Sequence, residues 1–316
     1  MLPVLCRTYD RSLGWLISRF VGRPSAGFVE PESVPESPED LSVVGPLDVT
    51  YELQKPELWR FEIPSPVESH WPESQTLRGR AIGPQGVRQA LVVMHGACDN
   101  EYTYSRWMGG AFVKQGYRVL IPAAPCHLDR APRKTFSGAP MFWSARTTVS
   151  GVAQWLLEIQ GLIGHLRRDG AEVVGLIGYS VGSLTAGIAA TLWKDLDFAA
   201  LLAPVGHHLA ALDHSRVARR IWPWLVDCNA EDVALLDRWA PVSRQPVIQH
   251  PLFLMTCFDD LQPYLLQEKW WQAWNRPARY EYRHGHMSIL FCRRLYRDLE
   301  TFARQMAGSD GQRSEQ

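Results

Sequence analysis

EVVGLIGYSVG, residues 172–182, is the stretch that decides the fold. It begins as a short apolar run, which a strand buried on both faces requires, and a helix rich in small residues is predicted over Val181–Trp193. Ser180 therefore lies at a sharp turn from strand to helix, between Gly178 and Gly182, where a Cβ would clash. A serine here could also act only as a helix N-cap, although a cap would not need the two glycines. The pattern favours a reactive serine at the edge of a sheet.

Apolar runs alternate with helical stretches on both sides of this turn. Further strands are predicted at ALVVM, YRVLIP, DFAALLA, PLFLMTC and ARYEYR, residues 90–94, 117–122, 197–203, 251–257 and 278–283. Strands that alternate with helices indicate βαβ crossovers, which cover a mostly parallel sheet on both faces. FEIPSPVES and SQTLRGRAIG, residues 61–69 and 74–83, indicate an antiparallel ribbon that enters the sheet. We therefore predict an α/β fold with a mostly parallel central sheet flanked by helices.

The composition along the chain predicts its organisation. Residues 1–60 are predicted to be an N-terminal extension and linker, because PESVPESPED at 31–40 is acidic and rich in proline. Residues 61–306 form the α/β domain, and an insertion at about 204–250 forms a helical cap between two strands. The tail, residues 307–316, has no core-forming side chain larger than alanine and is predicted to be disordered.

The overall composition excludes several classes of protein. The 316 residues carry 33 Lys+Arg and 33 Asp+Glu, so the positive field that nucleic-acid binding normally needs is missing, and no nucleic-acid partner is expected. The six cysteines show no CxxC pairing, which argues against a disulfide framework or a zinc knuckle. The N-terminus lacks the continuous apolar segment of a secretory signal, so we expect a cytoplasmic protein.

The first residues have one further pattern. Leu13, Leu16, Ile17 and Phe20 fall at helical spacing. Such an amphipathic helix either packs on its own domain or makes peripheral contact with a membrane surface. Both interpretations remain open at this stage.

Polar residues follow the ends of three other predicted strands, at the sheet edge where open α/β folds bind ligands. A loop amide at Ala97, in the HGAC motif, could join the amide of Val181 to bind a negatively charged oxygen. Asp259 and Asp260 follow PLFLMTC, and either could be an acid partner. His286, in the RHGH motif, completes the chain order serine, aspartate, histidine. This order suits nucleophilic attack by a serine on an acyl carbon.

With these motifs together, the region from Phe61 to Met306 resembles the α/β-hydrolase superfamily. The resemblance lies in HG after one strand, GYSVG after another, Asp-x-x-x-Pro after a third and GHMS after the last. It implies a catalytic triad of Ser180, Asp259 and His286, and it favours Asp259 over Asp260 and His286 over His284. A fainter similarity, to the group called α/β-hydrolase domain-containing protein 18, runs through the N-terminal arm and residues 125–132.

Other residues near these motifs are candidates for the substrate pocket. The cap insertion carries tryptophans whose rings would wall an apolar pocket, or would only pack the cap onto the body. The candidate pocket residues are His95, Cys98, Tyr179, Trp222 and Trp224. Arg130, in the loop after the second strand of the domain, could meet an anionic substrate group or lie on a solvated face.

Two histidine patterns have the spacing of metal ligands. They are His284-x-His286 and the cluster GHHLAALDH, residues 206–214. A triad already accounts for one of the first pair, and a solvated helix explains the second, so we predict no metal and no organic cofactor.

These observations predict a serine hydrolase that cleaves a carboxylic ester or thioester through an acyl-enzyme intermediate. Its substrate would be a small-molecule or lipid acyl compound. Two alternatives stay open: an inactive hydrolase-fold protein that serves as a binding or scaffold module, and a lipid-surface acyl hydrolase recruited by the N-terminal helix. The first alternative is supported by one difference from the family pattern: the sequence lacks a fuller HGGG-type loop at the HG motif.

Overall fold

A computed structural model describes residues 2–21, 24, 28–97 and 99–308 of the chain. The strands are β1 (Tyr51–Lys55), β2 (Leu58–Pro64), β3 (Thr76–Ile82), β4 (Gln89–Met94), β5 (Arg118–Pro122), β6 (Val173–Tyr179), β7 (Phe198–Leu202), β8 (His250–Thr256) and β9 (Ala278–Tyr282). The helices are α1 (Leu2–Phe20), α2 (Thr103–Val113), α3 (Ala145–Arg168), α4 (Val181–Leu192), α5 (Ala210–His214), α6 (Arg216–Ile221), α7 (Ala230–Arg238), α8 (Tyr264–Ala273) and α9 (Arg293–Gly308).

The strands form one nine-stranded sheet in the order β1-β2-β3-β5-β4-β6-β7-β8-β9. Strands β1, β2 and β3 pair antiparallel, and β3 also pairs antiparallel with β5. All pairs from β5 through β9 are parallel. The predicted fold class, a mostly parallel central sheet flanked by helices, is confirmed.

Alternation along the central strands explains the two helical layers. In β4, Ala90, Val92 and Met94 face a core shared with α3 and α4, whereas Leu91 and Val93 face a core shared with α2 and α9. A strand buried on both faces cannot alternate with polar residues, which is why its sequence is a continuous apolar run. The layers bring the carboxyl ends of β4, β6, β8 and β9 to one edge of the sheet.

The sheet begins before residue 61, where the sequence placed the start of the domain. Strand β1 pairs with β2, with Tyr51 opposite Phe61. It is an edge strand, and Leu53 is exposed. The sequence YELQK has too little apolar content for a periodic pattern, so β1 could not be recognised from it.

The residues predicted as a linker also pack against the body. Pro31 and Pro38 are buried, and the carbonyl of Pro35 accepts a hydrogen bond from the Trp239 ring at 3.2 Å. The N-terminal helix α1 packs on α6 of the cap through Gly14, where a Cβ would lie 2.4 Å from a Val217 methyl carbon. This observation favours a helix whose inner face packs on its own domain.

The remaining boundaries fall as follows. The predicted cap, residues 204–250, contains α5, α6 and α7 and joins β7 to β8. Of the predicted disordered tail, Ala307 and Gly308 end helix α9, and residues 309–316 lie outside the described residues.

Candidate active site

Ser180 lies at the turn between β6 and α4. Its backbone has φ 56 and ψ −118, a region that a residue with a Cβ rarely adopts and that stores strain. The turn is held by a hydrogen bond from the Ser180 N–H to the Leu202 carbonyl at 3.0 Å. Strained backbone held by neighbouring structure is characteristic of functional sites.

The glycines on either side have steric causes. A Cβ on Gly178 would lie 2.1 Å from the carbonyl oxygen of Gly182, and one on Gly182 would lie 2.3 Å from that of Met94. Gly96 is restricted as well, since its Cβ would lie 2.7 Å from the Tyr179 ring. The loop after β4 therefore approaches Ser180 only because these positions have no side chain.

His286 lies between Ser180 and Asp259. Its Nε2 is 2.8 Å from the Ser180 Oγ, and its Nδ1 is 2.8 Å from the Asp259 Oδ2. All of these residues are buried. The structure thus brings the three sequence-predicted side chains into one hydrogen-bonded chain, with the geometry that general-base activation of a serine requires.

The Asp259 carboxylate is fixed in turn by its own loop. Its Oδ2 accepts a hydrogen bond from the Thr256 hydroxyl at 2.7 Å. Its Oδ1 accepts from the Leu261 and Gln262 N–H groups at 2.9 and 2.7 Å. Asp260 points elsewhere and forms ion pairs with Arg7 and Arg11 of α1.

Opposing effects set the proton affinity of His286. Burial by itself would lower the pKa of the imidazole. The charge and hydrogen bond of Asp259, with a further contribution from the Asp10 carboxylate, outweigh burial and raise that pKa above its ordinary value. An imidazole with a raised pKa is a stronger acceptor for the serine proton.

The candidate oxyanion residues lie beside the serine. Ala97 and Val181 line the same small cavity as Ser180 and His286. Val181 is the first residue of α4, so its N–H has no acceptor within the helix. The loop that carries Ala97 is held by Asp99, whose Oδ2 accepts from the Gly96 N–H at 3.3 Å. Burial raises the pKa of Asp99 to about 7.

Comparisons with known proteins show which folds this chain resembles. Residues 61–210 match the family model described as Alpha/beta hydrolase domain containing 18. No curated protein sequence matches the chain significantly. Among solved structures, the acetyl xylan esterase from Paenibacillus sp. R4 has a TM-score of 0.62 at 16% identity, covering 92% of this chain and 94% of the esterase.

Two other solved structures have similar folds. The Pyrobaculum calidifontis esterase has a TM-score of 0.56 at 12% identity and covers 97% of this chain and 92% of its own. The Pyrococcus horikoshii acylaminoacyl peptidase has a TM-score of 0.57 at 13% identity over 81% of this chain, which spans only 40% of the peptidase. The chain has the α/β-hydrolase fold, and about half of its length matches the family model.

The cavity at Ser180 is small and mostly apolar. Its volume is about 40 Å³. The apolar side chains around it come from the cap and from the loops below: Phe142, Val205, Ala211, Trp222, Leu225 and Leu261. A larger cleft of about 580 Å³ lies in the cap and shares Leu225 and Gln262 with it.

The sequence-predicted pocket residues divide into several groups. Trp222 lines the cavity. His95 does not line it, because its ring is buried against Trp155 and its Nε2 accepts the Ala124 N–H at 2.9 Å. Tyr179 also lies below the cavity, where its hydroxyl donates to the His286 carbonyl at 3.0 Å. Neither residue forms a wall of the cavity. Cys98 and the Trp224 side chain lie outside the described part of the structure.

Arg130 is a further correction. It is fully buried and pairs with Glu158 at 2.7 Å, so it neither meets a substrate nor lies on a solvated face.

The structure also shows the surroundings of the histidines that have metal-like spacing. His207 pairs with Asp237 at 2.6 Å, and His284 lies 3.4 Å from the Ser288 hydroxyl. Within the described ranges, no group of three or more His, Cys, Asp or Glu side chains is arranged to hold a metal ion.

Residues that sequence reasoning missed also lie at this site. His208 and Gln262 line the cavity. Asp10, from α1, contacts the backbone of the His286 loop. One sign of this role lies in the sequence. Asp10 follows Cys6 by four positions, about one helical turn, so a charged residue lies on the same buried face of an amphipathic helix.

Proposed function

We propose that the protein is a serine hydrolase that cleaves a carboxylic ester or thioester through an acyl-enzyme intermediate. The observation that carries the proposal is the continuous contact from Ser180 Oγ through the His286 ring to Asp259, with 2.8 Å at each step. A buried histidine with a raised pKa, held between a strained serine and a fixed carboxylate, has the properties of a general base.

The proposed reaction has two halves. His286 Nε2 accepts the Ser180 proton as Oγ attacks the acyl carbon, and the backbone N–H groups of Ala97 and Val181 bind the oxygen that becomes negative. The C–O or C–S bond then breaks, and the imidazolium returns its proton to the leaving alcohol or thiol. Water attacks the acyl-enzyme with His286 again as base, which releases the acid and restores Ser180. Asp259 orients the imidazole and stabilises its charged form throughout.

The cavity supports an apolar acyl group as the part of the substrate nearest Ser180. Its walls are mostly apolar, and its volume of about 40 Å³ holds only a small group. A longer acyl chain would need the cap to move so that the cavity joins the neighbouring cleft of about 580 Å³ past Leu225. We therefore propose that activity on acetyl or propionyl esters exceeds activity on long-chain esters for the protein in solution.

The direct test is labelling with a fluorophosphonate probe together with turnover of a panel of short and long p-nitrophenyl esters and thioesters. We expect stoichiometric labelling of wild type and no labelling or turnover by Ser180→Ala. Ser105→Ala is the matched control, because Ser105 is a buried serine in α2 whose hydroxyl has no partner among the described residues. Absence of labelling in folded wild type, or equal turnover by Ser180→Ala, would contradict the proposal and favour an inactive binding module.

The outer face of α1 supports a second proposal, peripheral contact with a lipid surface. Leu2, Val4, Leu5, Trp15 and Leu16 are exposed there, and apolar side chains on an amphipathic helix insert at lipid interfaces. No helix in the described ranges is long and apolar enough to cross a membrane. Deletion of α1 would also remove Asp10 from the site, so the test is Leu5→Ser with Trp15→Ser. We expect this variant to lose sedimentation with phosphatidylcholine/phosphatidylglycerol vesicles and to keep its esterase activity; equal binding contradicts the proposal.

A further inference from the structure

The carboxylate of Asp10 reaches the site from the opposite end of the chain. Asp10 lies in α1, is buried, and is separated by 276 positions from the histidine whose backbone it contacts. Its Oδ2 accepts the His286 N–H at 2.8 Å, and its Oδ1 accepts the Met287 N–H at 3.1 Å. One carboxylate thus holds two consecutive N–H groups of the loop after β9.

The same carboxylate also contacts the loop that carries the acid. Asp10 Oδ2 accepts the Asp260 N–H at 3.3 Å, next in the chain to Asp259. The Asp260 side chain binds back to α1, where the Arg11 Nε lies 2.5 Å from its Oδ2. The helix is therefore joined to both loops whose relative position sets the distance between His286 and Asp259.

We propose that Asp10 is a positioning residue for the triad: its buried carboxylate holds the Asp259 loop and the His286 loop together through their backbone N–H groups. This inference rests on the proposed function, and it makes the N-terminal helix part of the active-site architecture. It also explains Gly285, because a Cβ there would lie 2.4 Å from Asp10 Oδ2. The glycine of the GHMS motif leaves the space that the Asp10 carboxylate fills.

The charge of Asp10 supports a functional role over a stabilising one. Burial, and next the charge of Asp259, raise the pKa of Asp10 from 3.8 to about 6. A carboxyl group whose folded pKa lies above its unfolded value costs stability as pH rises through that interval. The charge of Asp259 raises the pKa of Asp10 and that of His286 lowers it. Burial and nearby charges, that of Asp10 among them, in turn raise the pKa of the buried Tyr179. Asp260 contacts Asp10 through its backbone N–H, and its carboxylate pairs with Arg7 and Arg11. A buried second anion near Asp259 is costly to keep, but it favours the imidazolium form of His286.

Substitution of Asp10 by Asn tests the inference. Asn keeps the shape but removes the charge and leaves one of the backbone donors facing an amide N–H group. We expect kcat and the rate of fluorophosphonate labelling to fall roughly 10- to 100-fold, the loss typical of groups that orient a reactive side chain. KM should change little, and the acid limb of kcat/KM should move to lower pH, because the His286 pKa falls when the anion is removed.

The matched control is Cys6→Ala, which removes a buried side chain from the same face of α1 and leaves the carboxylate in place. We expect it to keep kcat and the pH profile of wild type, even if its melting temperature falls. A second test is a double-mutant cycle of Gly285→Ala with Asp10→Ser. The loss of kcat caused by Gly285→Ala should be smaller in the Asp10→Ser background, because the carboxylate oxygens that a Cβ at position 285 would contact are absent there.

The two proposals fail in distinguishable ways. NMR titration of the His286 ring reports its coupling to Asp10 without turnover, so it applies even if wild type proves inactive. A lower His286 pKa in folded Asp10→Asn supports the positioning role. Unchanged His286 pKa, labelling rate and pH profile in that variant overturn it, whereas failure of wild type to label overturns the proposed function alone.

Discussion

Among the described residues, the pair Arg130–Glu158 and the pair Asp259–His286 are both buried, but their charges are compensated in different ways. In the first, Arg130 and Glu158 are fully buried and form a two-point ion pair at 2.8 and 2.7 Å. In the second, Asp259 and His286 are equally buried, but the hydrogen-bonded chain ends at the Ser180 hydroxyl, which lines a cavity. Burial alone therefore does not distinguish a structural charge from a reactive one.

The difference lies in how the charges are compensated. Glu158 also accepts hydrogen bonds from Ser65 and Gln154, and Arg130 donates to the Ala123 and Ser74 carbonyls. Opposite charges therefore meet inside a closed network in which only the Arg130 Nε lacks a partner among the described residues. Around His286, the Asp259 carboxylate contacts the ring Nδ1, the Asp10 carboxylate contacts the backbone N–H, and the neutral Ser180 hydroxyl contacts the ring Nε2. Against the effect of burial, the two carboxylates raise the pKa of the histidine beside the cavity, and such perturbation is more common at functional sites.

The comparison predicts its largest effect at Asp259. Asp259→Asn keeps the shape of the side chain but presents the wrong hydrogen-bonding group to His286, so kcat should fall about 10⁴-fold. The control is Asp260→Asn, which keeps the backbone N–H that Asp10 holds and alters only the ion pairs with the exposed Arg7 and Arg11 side chains, which are worth little. Its kcat should stay within about tenfold of wild type. Steady-state kinetics with a short-chain ester measures both, and the reverse order of effects would exclude Asp259 as the acid.

The body of the fold was predictable because its signals are local. The runs in β4 to β8 are apolar enough to mark buried strands, and the glycines around Ser180 mark the turn between strand and helix. The order of the motifs at successive strand ends then placed serine, aspartate and histidine at one sheet edge. Strand β1 escaped prediction because an exposed edge strand carries no periodic apolar signal.

The parts of the site that were missed depend on contacts between distant segments. Asp10 and His286 are 276 positions apart, and no spacing rule connects an N-terminal helix with the last loop of a sheet. Arg130 was placed on a loop from its neighbours in sequence, but its partner Glu158 lies 28 positions away on α3. His95 directly follows β4, a position typical of pocket residues, but its side chain packs against Trp155. Side-chain direction and long-range pairing are set by packing, which a single sequence does not display.

The closed cluster should respond to substitution in stability and not in rate. Glu158→Leu leaves Arg130 as an uncompensated buried charge, which should lower the free energy of unfolding by about 3–5 kcal/mol. The kcat per folded molecule should stay at the wild-type value, since neither residue touches the cavity. Urea unfolding gives the first quantity, and fluorophosphonate titration of active sites gives the second. Removing both charges with Arg130→Met and Glu158→Leu should cost less stability than the single change. A larger cost would contradict the argument from an uncompensated charge, and a lower kcat per folded molecule would show that this cluster also serves the site.

The smallest expected effect concerns two buried histidines, His286 and His95, whose pKa values are shifted in opposite directions. The pKa of His286 is raised, so activity should fall about tenfold per pH unit below a midpoint that lies above 6.5. The pKa of His95 is lowered by burial to about 4, so this ring stays neutral over the same range and contributes nothing to the profile.

Their effects on stability have opposite signs. His286, whose folded pKa is raised, contributes stability below its unfolded pKa that is lost as pH rises through the folded value. His95 lowers the free energy of unfolding as pH falls from 6.5 toward about 4, because over this range its ring is protonated in the unfolded chain and neutral in the folded protein. NMR titration of both rings, with kcat/KM over the same range, tests the pair. An acid limb with a midpoint below 6.5 would mean that Asp259 and Asp10 do not outweigh the effect of burial on the pKa of His286. The proposed electrostatic difference between the Asp259–His286 pair and the Arg130–Glu158 pair would then be wrong.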